Sequence, residues 1–184
     1  LGETPTSVSD TPDLYLGASS TFGLQIVLPD SDGDGRPERL KTGDPKAAWM
    51  PGQFGAEKGG GPGSVWKVDG KTGGVLLFAT IPDNSGPGLG DIVFDPATQQ
   101  LFVSNLDDGL IYRVDSSGAV VDTFDHGQTG RAAAGLTPVT DDAPTADIKS
   151  PSFDSERPAS WGFTQEARRV WGLGLRSGRL YYAV

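Results

Sequence analysis

An acidic stretch near the amino terminus has the residue types and spacing of a metal-binding loop. It reads DSDGDGRPERL over residues 30–40. Three aspartates stand at alternate positions and are followed by a glycine and a glutamate; these residues are Asp30, Asp32, Asp34, Gly35 and Glu38. Calcium takes about six to eight oxygen ligands, and alternate aspartates on a tight loop bring their carboxylates to one point. The spacing therefore predicts a calcium site, because such carboxylates repel each other without a cation.

The flanking residues decide which kind of calcium loop this is. The twelfth position counted from Asp30 is Lys41, where an EF-hand needs a glutamate. The segments GLQIVLP and ERLKTG on either side look like strands, which predicts a hairpin closed by the acidic loop. A solvated acidic turn without a metal is the alternative, because Asp, Gly and Pro are also turn formers.

The loop resembles the calcium loops of FG-GAP repeats and, less closely, those of thrombospondin type 3 repeats. The resemblance implies four side-chain ligands and one backbone carbonyl ligand. The side chains are those of Asp30, Asp32, Asp34 and Glu38, and the carbonyl is that of Arg36. Glu38 stands where the family pattern has an aspartate.

Composition and charge limit the possible partners. The 184 residues carry a net charge of −9 and allow one domain with a real core. An acidic field repels nucleic acid and anionic membrane surfaces and attracts cations. The chain has no cysteine, which excludes disulfides and thiolate metal sites. No apolar run is long enough to span a membrane, so we expect no membrane insertion.

Short strands joined by turns dominate the pattern, which predicts an all-β fold. Residues 91–105 form two β-runs around an Asp-Pro turn, and residues 109–124 form a second hairpin around Ser-Ser-Gly. Together they predict one antiparallel four-stranded sheet. Residues 65–78 repeat the second hairpin, residues 170–184 repeat the first, and DLYLGAS at 13–19 is another copy of its second strand.

A four-stranded unit that recurs about every 40 residues indicates the blades of a β-propeller. The segment GDIVFDPATQQLFVSNLDDGLIYRVDSSGAVVDTF resembles the broad group of NHL-type, YVTN-type and gluconolactonase-like propellers. About two and a half blades are recognisable, whereas known propellers close with about four to eight. We therefore expect residues 1–184 to be a partial propeller, an incomplete fragment of a larger one.

Two long segments interrupt the repeat and are predicted to be surface insertions. The first insertion covers about residues 20–63 and contains the acidic hairpin; the second insertion covers about residues 125–168 and is polar and proline-rich. Trp161 in the second insertion is the predicted surface contact, whereas Trp66 and Trp171 lie in strand patterns and are predicted to be core residues.

The remaining polar residues show no complete catalytic pattern. His126 is the only histidine, no G-x-S-x-G motif accompanies it, and a turn position is the expected state. The glycine-rich strings at 59–63 and 85–90 fit no phosphate-binding motif and are expected to be turns.

The sequence is compatible with two functions. The first is a noncatalytic, calcium-stabilised propeller region of a secreted, cell-surface or periplasmic protein, binding calcium and a protein or glycan partner. The alternative is part of a metal-dependent propeller hydrolase, lactonase- or esterase-like, with an axial metal. Asp91, Asn105 and Asp107 lie near strand ends where axial ligands would sit.

Overall fold

The computed structural model describes residues 12–19 and 25–184 and has an all-β fold. Its strands are β1 (Leu14–Gly17), β2 (Ile26–Leu28), β3 (Glu38–Leu40), β4 (Ala48–Trp49), β5 (Ser64–Val68), β6 (Val75–Thr80), β7 (Leu89–Asp95), β8 (Gln100–Asn105), β9 (Leu110–Val114), β10 (Val120–Asp125), β11 (Gly172–Arg176) and β12 (Arg179–Ala183). The helical segments are short: a π-helix (His126–Gly130), α1 (Arg131–Ala133) and three 3₁₀ turns (Ala56–Lys58, Pro158–Ser160 and Glu166–Arg168). None of these described helices is long and apolar enough to cross a membrane.

Strands β7 to β10 form the predicted four-stranded unit, which we call the second sheet because it follows the sheet of β1, β5 and β6 along the chain. Its strands follow one another in the order β7-β8-β9-β10, and every neighbouring pair is antiparallel. The Asp-Pro turn joins β7 to β8: Asp95 accepts hydrogen bonds from the Ala97 amide at 3.0 Å and the Thr98 hydroxyl at 2.7 Å. Such aspartate turns favour tight antiparallel connections, and this sheet is therefore confirmed over its whole predicted length.

The first sheet has three strands in the order β1-β5-β6, so DLYLGAS does pair beside the hairpin that repeats β9 and β10. The hairpin turns of the two sheets are built alike. Asp69 accepts hydrogen bonds from Lys71 and Thr72, and the corresponding Asp115 accepts them from Ser117 and Ala119. These contacts lower the pKa of both carboxyls, chiefly through Thr72 for Asp69 and Ser117 for Asp115.

The sheets stack face to face around a shared apolar core. The first and second sheets bury it together, with members Val65, Ala79, Ile81, Leu89, Leu101, Val103, Tyr112 and Val114. The third sheet is the β11-β12 hairpin, which lies against the opposite face of the second sheet. Its Leu173 amide donates to the Asp91 carboxylate at 2.8 Å, and its Tyr182 ring lies 5.8 Å from that of Phe124.

The two insertions pack against each other and form a second core. The insertion sheet, in the order β3-β2-β4, contributes Ile26, and the second insertion contributes Phe153, Trp161 and Phe163. Leu106, just after β8, joins this cluster. The insertions are therefore folded onto one end of the second sheet.

Two predictions about tryptophans are wrong. Trp161 is only 9% exposed, because the second core encloses its ring and its indole N–H donates to the Asp154 carbonyl at 2.9 Å. Trp171 is 53% exposed, because it precedes β11 at the margin of a two-stranded sheet. Trp66 is half-buried, and its ring lies against Gly55 and Gly60 of the first insertion.

Candidate metal centre

The acidic loop connects β2 to β3, as the hairpin prediction required. Leu28 pairs with Glu38 where the two strands meet the loop. Gly33 and Gly35 have φ values of 80° and 83°, a left-handed conformation that favours glycine. Asp30 has a φ of 33° and is one of the few residues other than glycine with a positive value. This backbone folds the loop back on itself, so that both ends of the acidic stretch meet.

Three of the predicted ligands come together in this loop. Carboxylate oxygens of Asp30, Asp32 and Glu38 all lie within 4.8 Å of one another. It is the only such group of three among the residues that the structure describes. Oxygen atoms at this separation are close enough to bind one calcium ion, whose ligand distances are about 2.3–2.6 Å.

Hydrogen bonds from the backbone hold these carboxylates in place. Glu38 accepts from the Ser31 amide at 2.8 Å and from the Asp32 amide at 3.2 Å. The Ser31 amide is the main reason why the pKa of Glu38 is lowered. Asp30 accepts from the Gly35 amide at 3.2 Å. Glu38 thus reaches back across the loop to its beginning.

The two other predicted ligands have different surroundings. Asp34 lies outside the group of three carboxylates and accepts a hydrogen bond from the Arg36 amide at 2.8 Å. Arg36 is exposed in the same loop. The structure therefore brings three of the five predicted ligands together, and the roles of Asp34 and the Arg36 carbonyl stay predictions.

The strand that leaves the acidic loop continues directly into contacts with the second insertion. The Lys41 carbonyl accepts from the Ser155 amide at 2.8 Å, and the Gly43 amide donates to the Phe153 carbonyl at 2.9 Å. Lys41 also forms an ion pair with Glu156 at 2.7 Å. A β-carbon added to Gly43 would lie within 2.0 Å of the Ser150 carbonyl oxygen, so this approach requires glycine. Order in the hairpin is thereby linked to order in the second insertion.

That part of the second insertion forms an open groove with a volume of about 460 Å³. Its polar side chains include those of Asp147, Ser150, Ser152 and Arg157, and Phe153 provides an apolar floor. Hydroxyl, carboxylate and guanidinium groups beside an aromatic ring can bind a polar ligand. Trp161 is not among the residues that line this groove.

A second polar cluster lies at the end of the second sheet, beneath the insertions. Asp107 is 3% exposed and accepts hydrogen bonds from the Ser85 amide and hydroxyl. Burial raises its pKa to about 6. Asp108 beside it accepts a hydrogen bond from the Tyr112 hydroxyl at 2.6 Å. Burial raises the pKa of the Asp108 carboxyl and that of the Tyr112 hydroxyl. Sequence reasoning singled out neither Ser85 nor Asp108, because their importance depends on contacts between distant segments.

Two of the axial ligands of the alternative hypothesis are linked, because the Asn105 side-chain oxygen accepts from the Asp107 amide at 3.1 Å. Asp91 accepts from the Ile92 and Leu173 amides, whereas Asp107 accepts from Ser85. The Asn105 side-chain oxygen accepts from the Asn84 amide group at 2.8 Å. Asp91 and Asp107 belong to no group of three carboxylates in the described ranges 12–19 and 25–184. The hydrolase alternative therefore stays a prediction.

Arg168 and His126 occupy buried positions at the base of the second insertion. The Arg168 guanidinium is 1% exposed and donates to the Asp108 and Val139 carbonyls at 2.8 and 2.6 Å. It also pairs with Asp125 at 3.2 Å. His126 begins the π-helix and contacts the Tyr182 hydroxyl at 3.2 Å, and burial lowers its pKa. These contacts join β10, the second insertion and the third sheet.

No family model, curated protein or solved structure matches this chain.

Proposed function

We propose that this chain is a noncatalytic, calcium-stabilised β-propeller region that acts in binding or assembly. The observation that carries the calcium part is the convergence of Asp30, Asp32 and Glu38 oxygens within 4.8 Å. The propeller part is supported by the four-stranded meander and by the stacking of the first and third sheets on its two faces.

The role of calcium follows from what the hairpin contacts. The ion would neutralise carboxylates that otherwise repel each other, and would fix the beginning of β3. The residues after β3 bind the segment that forms the polar groove, through Lys41 and Gly43. Calcium would thus stabilise the surface that meets a partner, which we propose to be a protein or a glycan.

The exposed loop also suggests where the protein works. Sites with a few exposed carboxylates bind calcium with dissociation constants of about 10⁻⁴ to 10⁻³ M, the range of extracellular modules. Such a site is filled only where calcium is abundant. We therefore propose a secreted, cell-surface or periplasmic location.

Calorimetric titration tests the calcium site. We expect the apo protein to bind one calcium ion with a dissociation constant of about 10⁻⁴ to 10⁻³ M. Asp32→Asn should weaken binding by about tenfold or more, because it removes one ligand charge but can still accept from the Asp34 amide. Asp147→Asn, an exposed aspartate in the second insertion, is the matched control and should bind as the wild type does. Absence of binding, or equal binding by Asp32→Asn, would contradict the proposal.

A further inference from the structure

We infer that a second copy of this chain docks its third sheet onto the outer face of the first sheet. The inference deepens the assembly role of the proposed function; it rests on the stacking of the sheets and not on the acidic loop. Two exposed faces carry the inference, one on the first sheet and one on the third sheet. The faces that correspond to them in the repeat pack against each other between the first and second sheets.

The outer face of the first sheet is apolar except at one end, where Ser64 pairs with Thr80. Residues that pair directly across strands lie on the same side of a sheet. The pairs Leu14–Val68, Leu16–Trp66, Trp66–Leu77 and Val68–Val75 therefore define one face. We call this the Leu16 face; it consists of Leu14, Leu16, Trp66, Val68, Val75 and Leu77. Leu14 and Leu16 are 56% and 55% exposed, and an apolar patch of this kind marks an interaction surface.

The repeat shows what normally covers such a face. Leu14 and Leu16 correspond to Leu101 and Val103 of the second sheet. Leu14 pairs with Val68 of β5 as Leu101 pairs with Val114 of β9, and Leu16 pairs with Trp66 as Val103 pairs with Tyr112. Leu101 and Val103 are 1% and 0% exposed, because the first sheet packs over them. No sheet packs on the Leu16 face within residues 12–19 and 25–184, where the first insertion contacts the Trp66 ring and Leu14 and Leu16 stay exposed.

The third sheet has the complementary surface. Its free side, which we call the Tyr181 face, consists of Gly172, Gly174, Arg176, Arg179, Tyr181 and Ala183. Tyr181 corresponds to Tyr15 of the first sheet, because both align with Phe102 of β8. Tyr15 precedes Leu16 as Phe102 precedes Val103, and Tyr181 follows Leu180 as Phe102 follows Leu101. Tyr15 stacks on Phe94 of the second sheet at 5.7 Å, whereas Tyr181 is 54% exposed. A β-carbon on Gly174 would have nothing within 4 Å, so this face is open.

Charge adds to the match. Arg176 and Arg179 lie at the turn end of the Tyr181 face, are exposed and form no ion pair within the described part of the chain. The turn end of the first sheet carries Asp69, whose carboxylate binds groups of its own turn. A β-carbon on Gly118, in the turn between β9 and β10, would lie 1.9 Å from the Phe78 carbonyl oxygen of β6, so this turn of the second sheet packs closely against the last strand of the first sheet. The two guanidinium groups are therefore available to acidic groups of a second copy, since the chain carries a net charge of −9.

Two different faces make the contact, so the association is heterologous and can continue from copy to copy. Light scattering coupled to size exclusion measures it. At about 100 µM protein we expect species larger than the 19.2 kDa monomer, as for a dissociation constant in the micromolar range. Leu16→Asp and Tyr181→Asp should each give monomers, since each variant lacks one of the two faces. Both residues are more than half exposed, so circular dichroism should show unchanged strand content.

Mixing the two variants gives the decisive result. Leu16→Asp retains the Tyr181 face and Tyr181→Asp retains the Leu16 face, so an equimolar mixture should form a dimer of twice 19.2 kDa and nothing larger. Val121→Asp, at a 46% exposed position on the outer strand β10, is the control and should associate like the wild type. A monomeric wild-type protein, a monomeric mixture, or equal disruption by Val121→Asp would overturn the inference.

Calcium separates this inference from the proposed function. The sheet contact should persist in EDTA, because neither face includes the acidic loop. Association without calorimetric calcium binding would leave the inference standing and remove the calcium proposal. Calcium binding by a protein that stays monomeric would leave the calcium proposal standing and overturn the inference of a sheet contact between copies.

Discussion

The buried carboxylate of Asp107 accepts two hydrogen bonds from Ser85, from its amide at 2.8 Å and from its hydroxyl at 3.0 Å. The same hydroxyl accepts a hydrogen bond from the Ala146 amide at 2.8 Å. Asp107 therefore links the turn after β8 to the loop before β7 and, through Ser85, to the second insertion. Its other carboxylate oxygen is buried without a hydrogen-bond partner.

This arrangement predicts a pH-dependent contribution to stability. Burial raises the pKa of Asp107 from 3.8 to about 6, so between these values the folded state keeps a proton that the unfolded state has lost. The stabilisation is complete below pH 4 and is lost as the pH rises through about 6, by roughly 2–3 kcal/mol. Asp107→Asn stays neutral, so its stability relative to the wild type should increase by this amount between pH 4 and 8. Urea unfolding across this range measures the difference.

Asp122→Asn is the control, because it removes an exposed carboxylate from the same sheet. Its stability relative to the wild type should not show the increase expected for Asp107→Asn. Parallel pH profiles for Asp107→Asn and the wild type would contradict the assignment.

A pair of glycine substitutions tests the close packing around this link. A β-carbon on Gly88 would lie 2.0 Å from the Asp107 carboxylate and 3.0 Å from the Asn84 side-chain oxygen. Gly88→Ala should therefore lower the free energy of unfolding by about 1–3 kcal/mol, the usual cost of overpacking. Gly61→Ala is the matched control, since its added methyl group would have nothing within 4 Å. Equal stability of the two variants in urea would show that the Asp107 environment is looser than described.

Arg168 should be essential for docking the second insertion. Its guanidinium binds two backbone carbonyls and Asp125 from a position that is 1% exposed. Arg168→Met would leave these acceptors without donors, and we expect a loss of about 3–5 kcal/mol. Arg168→Lys should also destabilise, because an ammonium group cannot reproduce the planar fork of donors. Thermal unfolding measures both variants, and a wild-type midpoint for Arg168→Lys would exclude this role.

The sheets could be predicted because their signals are local. Alternating apolar residues around Asp95 and Asp115 specify two hairpins, and each turn is closed by the aspartate of that turn. The acidic loop is similarly local, and Asp30, Asp32 and Glu38 converge within a single hairpin.

The insertions could not be predicted in the same way, because their core depends on contacts between distant residues. Ile26 and Phe153 pack in one cluster although 127 positions separate them, and no local pattern predicts that the two meet. For the same reason the sequence alone predicts Trp161 at the surface, although the second core encloses it. Arg168 also lacks a local signal, since its partners Asp108 and Val139 come from two other segments.

Thermal unfolding with and without calcium tests the central claim most directly. A ligand that binds only the folded state at about ten times its dissociation constant adds about 1.4 kcal/mol of stability. We predict that calcium raises the unfolding midpoint of the wild-type protein by several degrees relative to EDTA, as expected for roughly this gain in a domain of this size. Asp32→Asn should lose most of the increase, and magnesium should not replace calcium. An unchanged midpoint in calcium, or an equal increase in Asp32→Asn, would contradict a calcium-stabilised hairpin.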